Sequence, residues 1–157
     1  IFGRFKALFP KEIITPEALV TFSHEQFRGV GLSNAKARYV RDLAEKVISG
    51  VVNLTKLPEM SDEDIISHLV QVKGIGRWTA EMVLMFTLDR PDVLPVDDLG
   101  IQKAFCKQYH LVFRKFGRTR GSAPTDLFKR TMIKIAEKWR PYRTLACRYL
   151  WKSLELK

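Results

Sequence analysis

The stretch Val72-Lys-Gly-Ile-Gly-Arg77 constrains this chain more than any other. Two glycines, one residue apart, lie between apolar patterns that recur at three and four residues on both sides. Such a pattern reads as two helices joined by a tight corner, because Gly74 and Gly76 allow positive φ where other residues are strained. The corner presents several N–H groups at the start of the second helix, and a helix start of this kind attracts anions. The sequence carries 27 Lys and Arg against 17 Asp and Glu, a net charge of +10. In so basic a protein the expected anion is a DNA phosphate.

The remainder reads as all-α, with little strand-like alternation. Ser33 precedes a run whose Ala37, Val40, Leu43, Ala44 and Val47 form one stripe, and Gly50 is its expected stop. Ser61-Asp-Glu-Asp64 opens another helix with a capping-box pattern, burying Ile65, Leu69 and Val72. A helix from Arg77 to about Leu88 follows the corner. Asp97 or Asp98 begins the next, which buries Ile101, Ala104 and Phe105. Pro124 is expected to start a helix that ends near Trp139, and Pro141 to start the last, running towards Leu156. Gly29-Val-Gly31 reads as a helix stop before a new N-cap, with a phosphate contact as the lesser alternative. The 157 residues suffice for one domain with a sizeable core.

Composition narrows the function classes. No run approaches the roughly 18 apolar residues of a membrane span, and no signal-peptide pattern is visible. Cys106 and Cys147 each fall in an apolar helical pattern, as expected of reduced, buried thiols in an intracellular protein. Two cysteines cannot supply the four thiolates of an iron–sulfur cluster. His24, His68 and His110 show no ligand spacing and read as surface or structural residues. Trp139 reads as core. Charge is distributed unevenly: residues 1–98 hold 12 basic and 14 acidic side chains, residues 99–157 hold 15 and 3. No acid occurs between Leu99 and Thr125, where Lys103, Lys107, Arg114, Lys115, Arg118 and Arg120 lie. A one-sided field of this kind suits a polyanion and makes binding salt-dependent. Against that background Asp97-Asp98 stands out, since a carboxylate in a surface that only holds DNA repels the phosphates. The two are either helix caps or a chemical centre.

Val72-Lys-Gly-Ile-Gly-Arg-Trp-Thr-Ala80 resembles the hairpin of the helix-hairpin-helix DNA glycosylases, in the branch that removes alkylated bases (the 3-methyladenine DNA glycosylase II type). Asp97-Asp-Leu-Gly-Ile-Gln-Lys-Ala-Phe105 resembles that family's catalytic-aspartate helix. Weaker similarity runs from Phe27-Arg-Gly-Val-Gly-Leu-Ser-Asn-Ala-Lys-Ala37 to Trp139-Arg-Pro-Tyr-Arg143 and on to Trp151. The resemblance implies an all-α helix-hairpin-helix glycosylase domain over residues 1–157. Its hairpin would span 72–77, its aspartate helix begin at about 98 and its C-terminal helix at about 141. The family carries an earlier helix and a wedge side chain near it. A chain that opens at Ile1 inside a helical pattern is therefore expected to lack an N-terminal portion.

The resemblance also implies a chemistry. Asp98 is the expected catalytic carboxylate, near a helix N-terminus that favours its anion, with Asp97 as cap or as orienting neighbour. Lys73, Gly74, Ile75, Gly76 and Arg77 would hold the DNA strand. A monovalent cation, sodium or potassium, would lie on the main-chain carbonyls of Val70, Val72 and Ile75, with no other cofactor required. Trp78, Met82 and Trp151 would line the base pocket with Asp97, the indoles attracting a cationic alkylated purine. Strand-cutting relatives place a Schiff-base lysine where this chain has Trp78, so a monofunctional enzyme that leaves an abasic site is expected. The implied partner is double-stranded DNA with alkylated bases, met by a monomer in a bacterial or archaeal cytoplasm or a nucleus. The competing reading is a non-catalytic helix-hairpin-helix DNA-binding module.

Overall fold

The computed structural model of the chain describes residues 1–111 and 126–155. Arg114, Lys115, Arg118 and Arg120 lie outside them, as do the expected helix start at Pro124 and the end at Leu156. Among the described residues every regular element is a helix. In chain order they are α1 (Phe2–Lys6), α2 (Pro16–Thr21), α3 (His24–Gly29), α4 (Asn34–Ile48), α5 (Asp62–Leu69), α6 (Arg77–Phe86), α7 (Leu99–Gln108), α8 (Asp126–Ala136) and α9 (Arg143–Glu155). None of the described helices is long and apolar enough to cross a membrane. The chain divides into two compact units, Ile1–Ala80 and Glu81–Lys157.

In the first unit, side-chain caps fix where helices begin. Ser23, Ser33 and Ser61 accept the backbone N–H groups of Gln26, Lys36 and Asp64. Each such cap contributes about 1 kcal/mol. The expected stop after α3 is a Schellman turn: Gly31 has φ +98°, Leu32 N–H reaches Phe27 O at 3.2 Å, and Gly31 N–H reaches Arg28 O at 2.9 Å. Gly50, at φ +74°, ends α4 as expected. Phe9, Leu19, Phe27, Ala37 and Ala44 form a buried cluster, with Phe5, Phe22 and Val40 packed on it. Phe9 meets Phe5 and Phe22 edge to face at centroid distances of 5.3 and 5.0 Å. Full burial of one such ring stabilises by about 1.5–3 kcal/mol. Ile65, Leu69 and Val72 are buried, as the pattern after Ser61 predicts. His68 accepts Asn53 N–H at 2.8 Å and His24 pairs with Asn34 at 3.0 Å, both structural roles.

In the second unit, Ile101, Ala104 and Phe105 of α7 are fully buried, as predicted, with Phe128, Met132, Ala136 and Cys147. Asp92 takes two hydrogen bonds from the Arg143 guanidinium and one from Arg140. Burial raises the pKa of Asp92, but the guanidinium and backbone N–H of Arg143, with Arg140, outweigh that and hold the carboxyl below its ordinary value. Thr144 receives Val93 N–H and donates to Arg90 O, so residues 90–93 are stitched to the start of α9. Three expectations need adjustment here. The last helix starts at Arg143 rather than Pro141, because Tyr142 N–H closes a turn onto Trp139 O. Trp139 is half-buried, tilted against the Phe105 ring at a centroid distance of 5.2 Å, and Cys106 is half-buried as well. Cys147 is buried, and burial, with the Asp98 and Glu81 charges, pushes its pKa up to about 12. It stays a thiol.

Candidate functional site

The glycine corner lies between α5 and α6, in the first unit. Gly74 has φ +83°, whereas Gly76 does not enter the left-handed region, so the expectation of positive φ at both is half right. The two glycines answer different needs. A Cβ at Gly74 would collide with the Tyr39 ring from α4, while a Cβ at Gly76 would meet nothing within 4 Å. Gly74 is required by the fold. Gly76 leaves bare backbone at an exposed position.

The N–H groups of the corner alternate. Lys73 N–H donates to the buried carboxylate of Asp42 at 2.8 Å, and Ile75 N–H to Val72 O at 3.1 Å. Those of Gly74 and Gly76 donate to no other described residue. Asp42 was not among the expected site residues. It also binds Lys46 Nζ at 2.8 Å and stands 3.6 Å from Lys73 Nζ. The Lys46 hydrogen bond first, then the Lys73 N–H, hold its carboxyl below the ordinary value against the cost of burial. The expected cations of the corner have carboxylate partners. Arg77 makes a two-pronged pair with Glu63, at 2.6 and 3.1 Å. The Lys73 side chain remains 77 % exposed.

Trp78 stands in the first turn of α6, 46 % exposed. Met82, four residues on, is half-buried.

In the second unit the chain approaches α7 through Pro95-Val96, where Gln102 Nε2 holds Val96 O at 2.8 Å and Asp98 N–H reaches Pro95 O at 3.0 Å. Asp98, not Asp97, is the N-cap of α7: its Oδ1 accepts Ile101 N–H at 2.7 Å. This corrects the expected division of roles. Asp97 faces another way and pairs with Lys129 of α8. The indole Nε1 of Trp151, from α9, donates to the same Oδ1 of Asp98 at 2.8 Å. Gly100 makes that approach possible, since a Cβ there would lie 2.8 Å from Trp151 Cδ1 and 3.0 Å from Asp98 Oδ1. Phe86 covers the Trp151 ring at a centroid distance of 5.8 Å, and Arg148 lies over Phe86. Sequence reasoning brought forward Asp98 and Trp151 and missed Gly100 and Phe86. A glycine inside an otherwise ordinary helix was the available signal for Gly100.

Asp98 thus holds two N–H donors at the start of α7, and the glycine corner keeps the Gly74 and Gly76 N–H groups without an acceptor among the described residues. The sequence profile of the HhH-GPD superfamily of base excision DNA repair proteins matches residues 1–141, through both units. The chain belongs to this superfamily. DNA-3-methyladenine glycosylase 1 of Schizosaccharomyces pombe is 37 % identical over 158 residues, covering 99 % of this chain and 64 % of that protein. DNA-3-methyladenine glycosylase 2 of Escherichia coli is 25 % identical, covering 91 % of this chain and 44 % of its own length. Among solved structures, the Schizosaccharomyces pombe 3-methyladenine DNA glycosylase in complex with abasic DNA superposes with a TM-score of 0.80 at 36 % identity, over 98 % of this chain and 70 % of that one. A DNA-3-methyladenine glycosidase from Bacillus halodurans gives 0.78 at 37 %, over 97 % and 64 %. The chain spans about half the length of the curated relatives it matches, 45 % of a Bacillus subtilis relative and 64 % of the Schizosaccharomyces pombe protein.

Proposed function

We propose that this chain is the helix-hairpin-helix part of a monofunctional DNA glycosylase that hydrolyses the N-glycosidic bond of alkylated bases in duplex DNA. The observation that carries the reading is the Asp98 carboxylate, fixed by Ile101 N–H and Trp151 Nε1 through one oxygen. Breaking the bond between base and deoxyribose develops positive charge on the sugar. A preorganised carboxylate stabilises that charge as it forms, an effect on the order of a hundredfold or more in rate. A base alkylated at a ring nitrogen is already cationic, so it takes the bonding electron pair and leaves neutral. Water then adds to the anomeric carbon and loses its proton to the carboxylate or to solvent. The abasic sugar remains in an uncut strand.

Position 78 supports the monofunctional reading, because Trp78 offers no amine for a Schiff base. The target nucleotide must first leave the duplex, at a cost of a few kcal/mol. The exposed glycine N–H groups and the Lys73 ammonium would hold its strand meanwhile. Trp78, Met82 and Trp151 would contact the extruded base. The Val70, Val72 and Ile75 carbonyls would hold a sodium or potassium ion, which would supply positive charge behind the corner. Uncharged oxygen donors suit such an ion, and Val72 O, engaged once by Ile75 N–H, keeps a second lone pair.

The alternative, a DNA-binding module without chemistry, draws on the fact that Asp98 is a helix cap. Capping accounts for the Ile101 contact but has no need of the Trp151 indole. The test is release of methylated purines from alkylated duplex DNA, followed by borohydride reduction. The proposal expects free base, alkali-labile abasic sites and no protein–DNA adduct. No release, with DNA binding intact, supports the bare module; a trapped adduct overturns the monofunctional assignment.

A further inference from the structure

We infer that Asp42 is a positioning residue for the DNA grip: its carboxylate turns the Lys73 N–H inward and thereby leaves the Gly74 and Gly76 N–H groups facing solvent for a phosphate. The inference rests on the reading of the corner as a DNA-holding turn. It assigns a role to α4, which the proposed reaction does not otherwise use.

Three side chains of α4 share one face, Tyr39, Asp42 and Lys46, at spacings of three and four residues. Tyr39 lies against Gly74, so tightly that no other residue fits there. One turn on, Asp42 Oδ2 takes both Lys73 N–H and Lys46 Nζ at 2.8 Å. Lys46 offsets the charge that burial would otherwise make costly. A buried aspartate directly behind a phosphate-binding turn is electrostatically adverse, because its field opposes the anion in front of it. Its geometric effect works the other way. With Lys73 and Ile75 N–H groups committed inward, the alternate N–H groups have no competing acceptor within the turn and are preorganised for a ligand.

These two effects have opposite signs, so they can be separated. If Asp42 were a bystander, removing both its negative charge and its acceptor oxygens by Asp42→Ala would leave affinity for an undamaged duplex unchanged or raise it. The inference expects the reverse, a loss of roughly tenfold or more in affinity, as for one charge-assisted hydrogen bond. In turnover on alkylated DNA the loss falls mainly on KM and much less on kcat. Affinity that is equal or tighter in a folded variant overturns the inference.

Wild-type protein supplies a second reading should the variant fail to fold. With duplex added, the Gly74 and Gly76 amide protons should shift and gain protection from exchange, while Lys73 is protected before and after. A Lys73 amide that exchanges freely and responds to DNA like its neighbours overturns the inference. Failure of the glycosylase reading looks different. In that case no base is released, yet the Asp42→Ala loss of duplex affinity remains.

Discussion

The Trp151 indole donates to Asp98 at 2.8 Å, onto the same oxygen that caps α7 through Ile101 at 2.7 Å. Trp151 therefore orients the carboxylate, beyond any contact with a base. Trp151→Phe keeps a ring against Phe86 and removes the donor. We predict a fall in single-turnover base release of about tenfold, with duplex affinity unchanged. Stopped-flow or quench kinetics on alkylated DNA, alongside a binding titration, check both halves.

Gly100 gives a prediction of opposite sign to helix propensity. Gly→Ala normally stabilises a helix, by about 1 kcal/mol in the interior and by less in the first turn, where Gly100 stands. Here the added methyl would lie 2.8–3.0 Å from the Trp151 indole and Asp98 Oδ1, so the pair must part. Gly100→Ala is expected to gain little or no thermal stability and to lose activity at least as severely as Trp151→Phe. A stabilised, fully active variant would show that the Trp151–Asp98 contact is dispensable.

The two glycines of the corner should separate fold from binding. Gly74→Ala incurs both a positive-φ penalty and a clash with Tyr39, and should lower the melting temperature as well as DNA affinity. Gly76→Ala meets no neighbour and carries no φ strain. Its melting temperature should stay within about 2 °C of wild type, so any loss of affinity reports on close approach of DNA alone.

Asp92 is one of the groups through which stability responds to acid. Its folded-state pKa is below the ordinary 3.8, so its contribution is complete above that value and is lost as pH falls through the lower, folded value. Asp92→Asn should destabilise near pH 6 by about 1.5–3 kcal/mol, the scale of a hydrogen bond to a charged group. The gap to wild type should narrow as pH falls below 3.8 and through the lowered folded-state value. Denaturant titrations from pH 6 downwards test it.

Much of this was legible in the residues themselves. Serines ahead of apolar periodicity marked the starts of α4 and α5, a glycine pair marked the corner, and Ile101, Ala104 and Phe105 marked the buried face of α7. These signals are local, set by caps, turns and period. What stayed hidden was long-range: Asp42 reaches Lys73 across 31 residues, and Trp151 reaches Asp98 across 53. No spacing rule pairs such partners, because the packing of helices decides them. The cap of α7 was assigned to Asp97 rather than Asp98 for a related reason. Adjacent aspartates are equivalent caps on paper, and only the turn at Pro95-Val96, held by Gln102, selects which one closes α7.

In the proposed reaction the Asp98 charge drives base release. Asn is as good a helix cap as Asp, so Asp98→Asn preserves the start of α7 and removes little but the negative charge. Single-turnover release of methylated purine from duplex DNA should fall a hundredfold or more, while duplex affinity holds or rises with the loss of one repulsive charge. Release within about threefold of wild type, less than 1 kcal/mol of barrier, would contradict the account.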